Sequence, residues 1–305
     1  MAKQKLSDYY LNWVKLYKQN AVRNVTLQKY EFVYRKICEL APDLKINEVT
    51  RQTYQELLNA YAKTHEKSTV ADFHHHLKAC LQDAFDEGTI KTDPTRRAII
   101  KGRDSKPKKK KFLNLYELHA FIADLELNDV LTVDWLIYLT AKTGLRFAEA
   151  LALVPSDFDF GNQTLTISKT WNYRDKQGGF QPTKNKSSNR KILLDFKTVQ
   201  RFKPLLEHCA EDAPIFLANG HRIYNSTVNN TMKKHCENAD VPTITVHGLR
   251  HTHASLLLFE GVSVSSVARR LGHSSTLTTQ RTYIHIIQEL ENKDNDKILA
   301  HLSRF

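Results

Sequence analysis

The chain has 305 residues, with 45 Lys and Arg against 33 Asp and Glu and a formal net charge of +12. Hydrophobic residues make up 41% and charged residues 26%, which excludes an intrinsically disordered chain and is typical of globular proteins. This length predicts two domains. The positive charge favours a polyanionic partner, either nucleic acid or an acidic membrane surface, because each neutralised phosphate releases counterions.

The cysteines are too far apart for a disulfide framework or a zinc knuckle, and they predict reduced thiols in the cytoplasm. The first residues, MAKQKLSDYYLNW, contain no apolar stretch long enough for a signal peptide. No apolar run approaches the roughly 18 residues of a membrane span. We therefore expect a soluble, cytoplasmic protein without a membrane partner. The four cysteines are Cys38, Cys80, Cys209 and Cys236.

Apolar residues before residue 100 recur at helical spacing in four segments, which predict four helices. Thr26 and Thr50 are predicted N-caps. Thr69, with Asp72 three residues on, predicts a capping box at the start of the fourth helix. Residues 1–103 are therefore expected to form a small all-helical domain.

A basic linker is predicted at residues 104–111, within the stretch KGRDSKPKKKK, which has a glycine, a proline and a lysine run but no hydrophobic face. With DNA as the partner, this linker is expected to lie against phosphates. The lysines expected to bind DNA here are Lys106, Lys108, Lys109, Lys110 and Lys111.

The remainder of the chain mixes helices with a short antiparallel sheet. Asn114 and Glu117 form a predicted capping box. A period of two at Leu165 and Ile167 and again at residues 191–194, with a turn at Gly178-Gly179, predicts strands. The predicted fold class is mainly α with a small antiparallel β-sheet. Helical periodicity predicts further helices over residues 131–143, 196–208, 226–237, 247–260 and 264–271.

A set of separate cations and one tyrosine is the chemically distinctive feature of this second half. Arg146 follows a glycine in TGLRFAEAL, where the chain can turn sharply into a helix. His247 and Arg250 in HGLRH lie three apart at a predicted helix N-terminus, which attracts anions. Lys184 lies in PTKNKSSNRKILL, where proline, serine and asparagine predict a hairpin turn.

Two further motifs follow in the chain. LGH ends at His273, and TTQRTYIH contains Tyr283. Each motif alone has an ordinary structural interpretation, since most tyrosine rings belong to cores and most arginines to surfaces. The three histidines of HGLRHTH do not predict a metal site, because a fourth ligand is not apparent.

In this order and these local contexts, the motifs resemble the catalytic domain of the tyrosine recombinases, the phage integrase family, over roughly residues 115–290. Residues 5–100 resemble the helical core-binding domain of that family. The resemblance implies a core-binding (SAM-like) domain, the basic linker, and a mixed α/β tyrosine-recombinase catalytic domain with a C-terminal tail at residues 112–305. Many integrases of mobile elements carry a further N-terminal arm-binding domain; either this protein lacks it or the sequence is a truncated form.

The resemblance also implies a function. The expected enzyme is a site-specific recombinase that cleaves and rejoins DNA through a 3′-phosphotyrosine, for integration or excision of a phage or mobile element. It would need no metal, ATP or other cofactor. The implied partners are double-stranded DNA attachment sites, sister protomers in a homotetramer on synapsed DNA, and accessory DNA-bending or excision factors. The implied catalytic residues are Arg146, Lys184, His247, Arg250, His273 and Tyr283.

Each of these residues has an implied role. The two arginines, planar and permanently charged, would hold non-bridging phosphate oxygens. Tyr283 would be the nucleophile and would lose its proton with help from cations and His247. Lys184 would protonate the leaving 5′ oxygen, while Lys186 would contact backbone phosphates. His273 would hydrogen-bond the phosphate.

Supporting roles are expected for other residues of the same motifs. Glu149, one turn after Arg146, is expected to hold a helix or orient an arginine rather than perform acid–base chemistry. His251, His253 and His285 are expected to pack around the site or support it.

Two rival functions are open at this point. A type IB topoisomerase uses the same tyrosine chemistry but reseals the same strand; the LGH motif and the core-binding domain favour recombination. A DNA-binding regulator could keep the fold without the chemistry, but all six expected catalytic residues are intact.

Overall fold

The structure, a computed structural model, divides the chain into two compact units, Met1–Lys108 and Lys109–Phe305. In the part of the chain that is described, no helix combines the length and apolar character needed to cross a bilayer. The described residues are 4–104, 110, 112–175, 177–217, 222–283 and 302.

The first unit is helical, and its helices enclose a core of large apolar side chains. Leu6, Tyr10 and Leu77 are fully buried there. Trp13 Nε1 donates to Asp83 Oδ2 at 2.7 Å and ties the first helix to the last. The helices are α1 (Leu6–Tyr17), α2 (Asn24–Leu40), α3 (Arg51–Ala62) and α4 (Lys67–Asp86).

Of the predicted helix starts in this unit, one is confirmed. The hydroxyl of Thr50 accepts from the backbone N–H of Thr53 at 3.2 Å and caps α3. The prediction for Thr26 is wrong, because α2 already begins at Asn24. The capping box at Thr69 is also wrong.

The fourth helix begins at Lys67, two residues before the predicted cap. Asp72 does not cap the start of this helix, because the helix begins earlier and the backbone N–H of Thr69 already donates to the carbonyl of Glu66 at 2.9 Å. The carboxylate of Asp72 instead receives the ammonium of Lys29 on α2 at 3.0 Å.

The second unit packs helices against α6 (Val133–Thr143) and also contains two small sheets. Leu136, Ile137 and Leu139 of α6 are fully buried, and α6 packs against α7, α9 and α10. Residues 276–283 are also helical. The helices are α5 (Leu115–Ala123), α6 (Val133–Thr143), α7 (Phe147–Leu151), α8 (Phe196–Leu206), α9 (Asn225–Asn238), α10 (Val246–Phe259) and α11 (Val264–Leu271).

The strands form two antiparallel sheets rather than the single sheet that was predicted. One sheet has the order β1-β2-β5 and the other is the pair β3-β4. The fold is therefore mainly α with small antiparallel sheets, in agreement with the predicted class. The strands are β1 (Phe158–Asp159), β2 (Thr164–Ile167), β3 (Lys169–Trp171), β4 (Phe180–Pro182) and β5 (Arg190–Leu193).

Local signals in this unit were mostly reliable. The capping box is confirmed, since Asn114 Oδ1 accepts from Glu117 N at 2.8 Å and Glu117 Oε2 accepts from Asn114 N at 2.8 Å. The turn at Gly178-Gly179 is confirmed, with both glycines at positive φ between β3 and β4. The helices predicted after residue 195 are confirmed to within two residues at each end.

The hairpin turn predicted around Lys184 is wrong. β4 pairs with β3, and β5 pairs with β2, so the segment between β4 and β5 connects the two sheets. The hydroxyl of Thr183 donates to Asn189 Oδ1 at 2.7 Å, which closes this loop on itself without strand pairing.

Candidate active site

The first candidate cation, Arg146, is positioned by the glycine before it. Gly144 ends α6 with φ +69°, and a Cβ there would lie 2.8 Å from Cδ2 of His253, so the turn requires glycine. Arg146 then forms the N-cap of α7. Its Nη1 donates to Glu149 Oε1 at 2.7 Å and its Nη2 to the carbonyl of Gly272 at 3.2 Å.

Arg250 lies on α10, which begins after the side-chain cap of Thr245. Only 3% of this arginine is exposed. Its Nη1 donates to the carbonyl of Gly144 at 2.7 Å and its Nη2 to the carbonyl of Leu271 at 2.6 Å. Burial, followed by the charge of Arg146, lowers the pKa of Arg250 to about 9. The guanidinium therefore remains charged at neutral pH.

Arg190 is a third arginine of the site, and the sequence motifs did not indicate it. Its side chain is 4% exposed, its Nη2 donates to Glu149 Oε2 at 2.9 Å and its Nε to the carbonyl of Arg270 at 2.6 Å. In the sequence it stands inside a basic stretch, RKILL, that resembles a solvated strand edge. In the structure it opens β5, where it pairs with Ile167 of β2, and no local signal in the sequence marks its role.

Arg146, Arg190 and Arg250, named here the arginine cluster, share one anchor. They donate to three consecutive carbonyls at the end of α11, those of Gly272, Arg270 and Leu271 respectively. The last carbonyls of a helix lack intrahelical partners and form the negative end of its dipole. The cluster thus satisfies this helix end, and the helix end holds three cations close together.

Glu149 is the carboxylate inside this group of cations. Its side chain is 1% exposed and forms ion pairs with Arg146 at 2.7 Å and Arg190 at 2.9 Å. Burial alone would raise the pKa of Glu149, but the charges of Arg190 and Arg146 outweigh it and lower the pKa below its ordinary value. The predicted role of orienting an arginine is confirmed, for two arginines rather than one.

Tyr283 lies in the helical residues 276–283 and is 3% exposed. Its ring packs with Ala254, Leu258 and Leu271 in a small apolar cluster. Its hydroxyl lies 2.9 Å from Nδ1 of His251. Burial raises the pKa of Tyr283 to about 12 against the opposing charge of Arg250, so the phenol is neutral at neutral pH.

His273 follows Gly272 directly and is half-buried. Its Nδ1 lies 2.8 Å from the hydroxyl oxygen of Thr279. Burial and the charges of Arg250 and Arg146 lower the pKa of His273 to about 4, so the imidazole is neutral at neutral pH. His247 is exposed on the first turn of α10, with its ring edge toward the ring of His251 at 4.8 Å between centroids.

The structure therefore brings Arg146, Arg250, His273 and Tyr283 together around the end of α11, with His247 on the same helix as Arg250. Lys184 and Lys186 are exposed on the loop after β4, and within the described residues neither ammonium group forms an ion pair. The same loop is nevertheless anchored beside the cluster. A Cβ on Gly272 would lie 3.1 Å from Cα of Ser188 and 2.9 Å from Nη1 of Arg190.

The supporting histidines differ from one another. His253 packs as expected: its Nδ1 contacts the carbonyl of Ala141 at 3.1 Å and its Nε2 accepts from Arg270 Nε at 2.9 Å. Burial, with the charge of Arg270, lowers the pKa of His253 to about 3. His251 instead contacts the hydroxyl of Tyr283. His285 lies outside the described residues.

Of the linker lysines, only Lys110 falls within the described residues, and its ammonium pairs with the capping carboxylate of Glu117 at 2.7 Å. Over the described ranges, no group of three or more His, Cys, Asp or Glu side chains could hold a metal ion. The linker lysines outside the described residues are Lys106, Lys108, Lys109 and Lys111.

The chain is similar in sequence to known proteins. Residues 111–289 match the model of the phage integrase family. The integrase of Staphylococcus phage L54a is 26% identical over 313 aligned residues, covering 93% of this chain and 84% of that protein. The ICEBs1 integrase of Bacillus subtilis (strain 168) is 26% identical over 233 residues, covering 73% of this chain and 62% of that protein.

Among solved structures, the Tn1549 transposon integrase in complex with transposon right end DNA has the same fold. The TM-score is 0.76 at 19% identity, covering 92% of this chain and 95% of that one. Fold, motifs and relatives together define a tyrosine-type site-specific recombinase of the mobile-element kind. The chain belongs to the phage integrase family.

Proposed function

We propose that this recombinase cleaves and rejoins DNA at specific sites through a 3′-phosphotyrosine formed by Tyr283. The observation that carries the proposal is that Tyr283 packs against Leu271, whose carbonyl accepts from the buried, permanently charged Arg250 of the arginine cluster. A phosphodiester is a stable anion, so attack on it requires neutralisation of the charge that develops in the transition state. Cations fixed in a low-dielectric site supply that neutralisation without reorganising.

Arg146 and Arg250 are the proposed phosphate ligands. Each guanidinium carries more N–H donors than its described contacts with Glu149, Gly144, Leu271 and Gly272 occupy. The remaining donors can hold the non-bridging oxygens of the scissile phosphate. Arg190 is proposed to hold the carboxylate of Glu149 in place, and that carboxylate in turn orients the guanidinium of Arg146.

The proposed reaction requires no ATP. The oxygen of Tyr283 forms a bond to phosphorus, and the bond from phosphorus to the 5′ oxygen breaks. Lys184 gives its proton to that leaving oxygen. A 5′ hydroxyl from a partner duplex then attacks the phosphotyrosine in the reverse sense, so the phosphodiester bond energy is conserved.

The two outer histidines are proposed to contact the phosphate. If the hydroxyl of Thr279 donates to Nδ1 of neutral His273, Nε2–H of that ring is left as a donor to a phosphate oxygen. His247 is exposed at the N-terminus of α10, where the positive end of the helix dipole also favours an anion. It is further proposed to assist proton loss from Tyr283.

Double-stranded DNA containing attachment sites is the proposed substrate. The similar Tn1549 integrase was solved with transposon end DNA, which supports this substrate class. In the helical unit, a cleft of about 650 Å³ is lined by four cations and offers a phosphate-binding surface. Further proposed phosphate contacts are Lys186 and the linker lysines Lys106, Lys108, Lys109, Lys110 and Lys111. The cations of the cleft are Arg51, Lys91, Arg96 and Arg97.

A homotetramer on two synapsed duplexes is the proposed working assembly, because exchange of all four strands requires four nucleophiles. Accessory DNA-bending or excision factors are proposed to set its direction, and the cytoplasm, where bacterial DNA lies, is the proposed location.

The test uses a nicked suicide substrate, from which the cleaved fragment diffuses away and traps the covalent complex. The wild-type chain is expected to give a protein–DNA band that survives denaturation. Tyr283→Phe should bind the same DNA with unchanged affinity and give no such band. Joining of two differently labelled duplexes separates a recombinase from a topoisomerase, which would only relax supercoils. A covalent band from Tyr283→Phe would overturn the proposal.

A further inference from the structure

The hydroxyl of Tyr283 has a direct partner that the expected catalytic set leaves out. His251 follows Arg250 on α10, is half-buried, and places Nδ1 2.9 Å from that hydroxyl. The two ring centroids are 5.7 Å apart at 60°, so the contact is made by the polar end of the tyrosine and is not a stacked pair. This is hydrogen-bond geometry at the reacting oxygen itself.

The buried phenol needs such a partner. Burial raises the pKa of Tyr283 to about 12 even with Arg250 nearby, so very little phenolate exists at neutral pH. A phenol attacking phosphorus must give up its proton as the bond forms. A neutral imidazole protonated at Nε2 leaves Nδ1 as the acceptor for that proton.

We propose that His251 is the group that accepts the proton of Tyr283 during cleavage, which makes it a catalytic residue of this recombinase; the inference rests on Tyr283 being the nucleophile. The O–H bond of Tyr283 breaks, its proton passes to Nδ1 of His251, and the oxygen electron pair forms the bond to phosphorus. In the rejoining step the tyrosine leaves phosphorus and takes the proton back. The cycle returns His251 to its neutral form.

Several ionisable groups face His251 and enter its pH behaviour. His247 contacts it by a ring edge from the preceding turn of α10, Tyr283 faces it from the helical residues 276–283, and Arg250 precedes it in the chain. His273, after α11, is close enough for the charge of His251 to lower its pKa. With His247 adjacent, the decisive comparison is between His251 and His247.

The experiment measures single-turnover cleavage against pH on a duplex whose 5′ bridging oxygen is replaced by sulfur. Sulfur leaves without a proton, so the pH profile reports on the nucleophile and not on Lys184. In the wild type, the rate should rise with pH as the accepting imidazole loses its proton. His251→Asn keeps a polar atom near the position of Nδ1 but cannot take up a proton.

We expect His251→Asn to slow cleavage by about 10²- to 10⁴-fold, the usual size of acid–base catalysis. The acid limb of the profile should disappear, and the rate should continue to rise toward the pKa of the phenol. His251→Ala should be equally slow and should regain activity with added imidazole. DNA affinity and thermal unfolding measured on the same variants separate these effects from misfolding.

Matched variants distinguish the possible roles of His251. His208→Asn changes an exposed histidine of the same unit outside the site and should behave as wild type. Near wild-type cleavage by His251→Asn with the acid limb intact would reduce His251 to a positioning residue and overturn the inference. Loss of that limb in His247→Asn alone would transfer the role to His247. A covalent complex from Tyr283→Phe would instead overturn the proposed function beneath it.

Discussion

The arginine cluster and the Lys184 loop hold their cations in opposite ways. Each arginine of the cluster donates to a main-chain carbonyl at the end of α11, and Arg190 and Arg250 are almost fully buried. Lys184 is exposed on the loop after β4. Guanidinium forks fixed by carbonyls are ready before DNA arrives, whereas a flexible ammonium can be aligned by the DNA itself. The comparison predicts that changes in the cluster and in the loop fail in different ways.

The largest effect is expected at Arg250. An ammonium in Arg250→Lys keeps the charge but lacks the planar fork that spans the carbonyls of Gly144 and Leu271 at 2.7 and 2.6 Å. Cleavage of the suicide substrate in a single turnover should fall by about 10³-fold or more, in line with removal of a fixed transition-state donor. DNA affinity should change little. Cleavage within a few-fold of wild type would show that the fixed fork is unimportant.

The next effect is expected at Lys184. Lys184→Ala should slow cleavage by about 10²-fold or more, because the leaving 5′ oxygen loses its proton donor. Lys186→Ala, on the same loop, is the matched control and should mainly weaken binding and flatten its salt dependence. The folding stability of both variants should equal that of the wild type, since both ammonium groups are exposed.

A substrate with sulfur at the 5′ bridging position sharpens this comparison. Its leaving group needs no proton, so cleavage by Lys184→Ala should be largely restored, while Arg250→Lys should stay slow. Restoration of Lys186→Ala instead, with Lys184→Ala left slow, would transfer the acid role to Lys186.

Glu149→Gln tests the cluster through stability. The carboxylate of Glu149 is buried and paired with two arginines, and the neutral amide of Gln would leave the charges of both arginines uncompensated. We therefore expect the free energy of unfolding to fall by about 3 kcal/mol. Because the pKa of Glu149 is lowered in the folded state, its contribution is fully present above its ordinary pKa of 4.5 and fades as pH falls through the folded-state pKa. The difference in Tm between wild type and variant should be constant from neutral pH to about 5 and should narrow in more acid solution. A difference that widens on acidification would contradict this.

The smallest effect is expected in the helical unit. Arg96→Ala removes one exposed cation from the cleft lined by Arg51, Lys91 and Arg97. Binding should weaken by a few-fold, and the slope of log affinity against log salt should become shallower by about 0.9. Cleavage by the bound complex should be unchanged. Arg23→Ala, on the same unit but not lining that cleft, is the control. If the slope of log affinity against log salt became equally shallow in that variant, the cleft would have no special role in DNA binding.

Short-range signals in the sequence predicted much of the fold. The Asn114–Glu117 box, the Thr50 cap and the glycine turns depend on neighbouring residues, so the sequence records them directly. The Thr69 cap failed because α4 already begins at Lys67, so the backbone N–H of Thr69 donates to the carbonyl of Glu66. The hairpin around Lys184 failed because strand pairing is a long-range choice, and β5 pairs with β2 rather than β4.

The site residues divide in the same way, into those that local motifs indicate and those whose role depends on residues distant in the sequence. The resemblance assigned the separate motifs that carry Arg146, Arg250, His273 and Tyr283, and the fold brings these residues together. Arg190 could not be recognised, because its function depends on Glu149 and on the carbonyl of Arg270, both remote in sequence. The contact between His251 and Tyr283 spans two helical segments and likewise appears only in three dimensions.

The most direct test of the central claim identifies the residue that becomes attached to DNA. The covalent complex from a suicide substrate is digested with trypsin and nuclease, and the peptide that carries the residual nucleotide is identified by mass spectrometry. Cleavage after Arg281 and after Lys293 releases a peptide of residues 282–293. The chain has 12 tyrosines, and Tyr283 is the only one in this peptide. We predict the nucleotide on this peptide, joined through a 3′ phosphate. A nucleotide on any other peptide, or a 5′ phosphate linkage, would contradict the account.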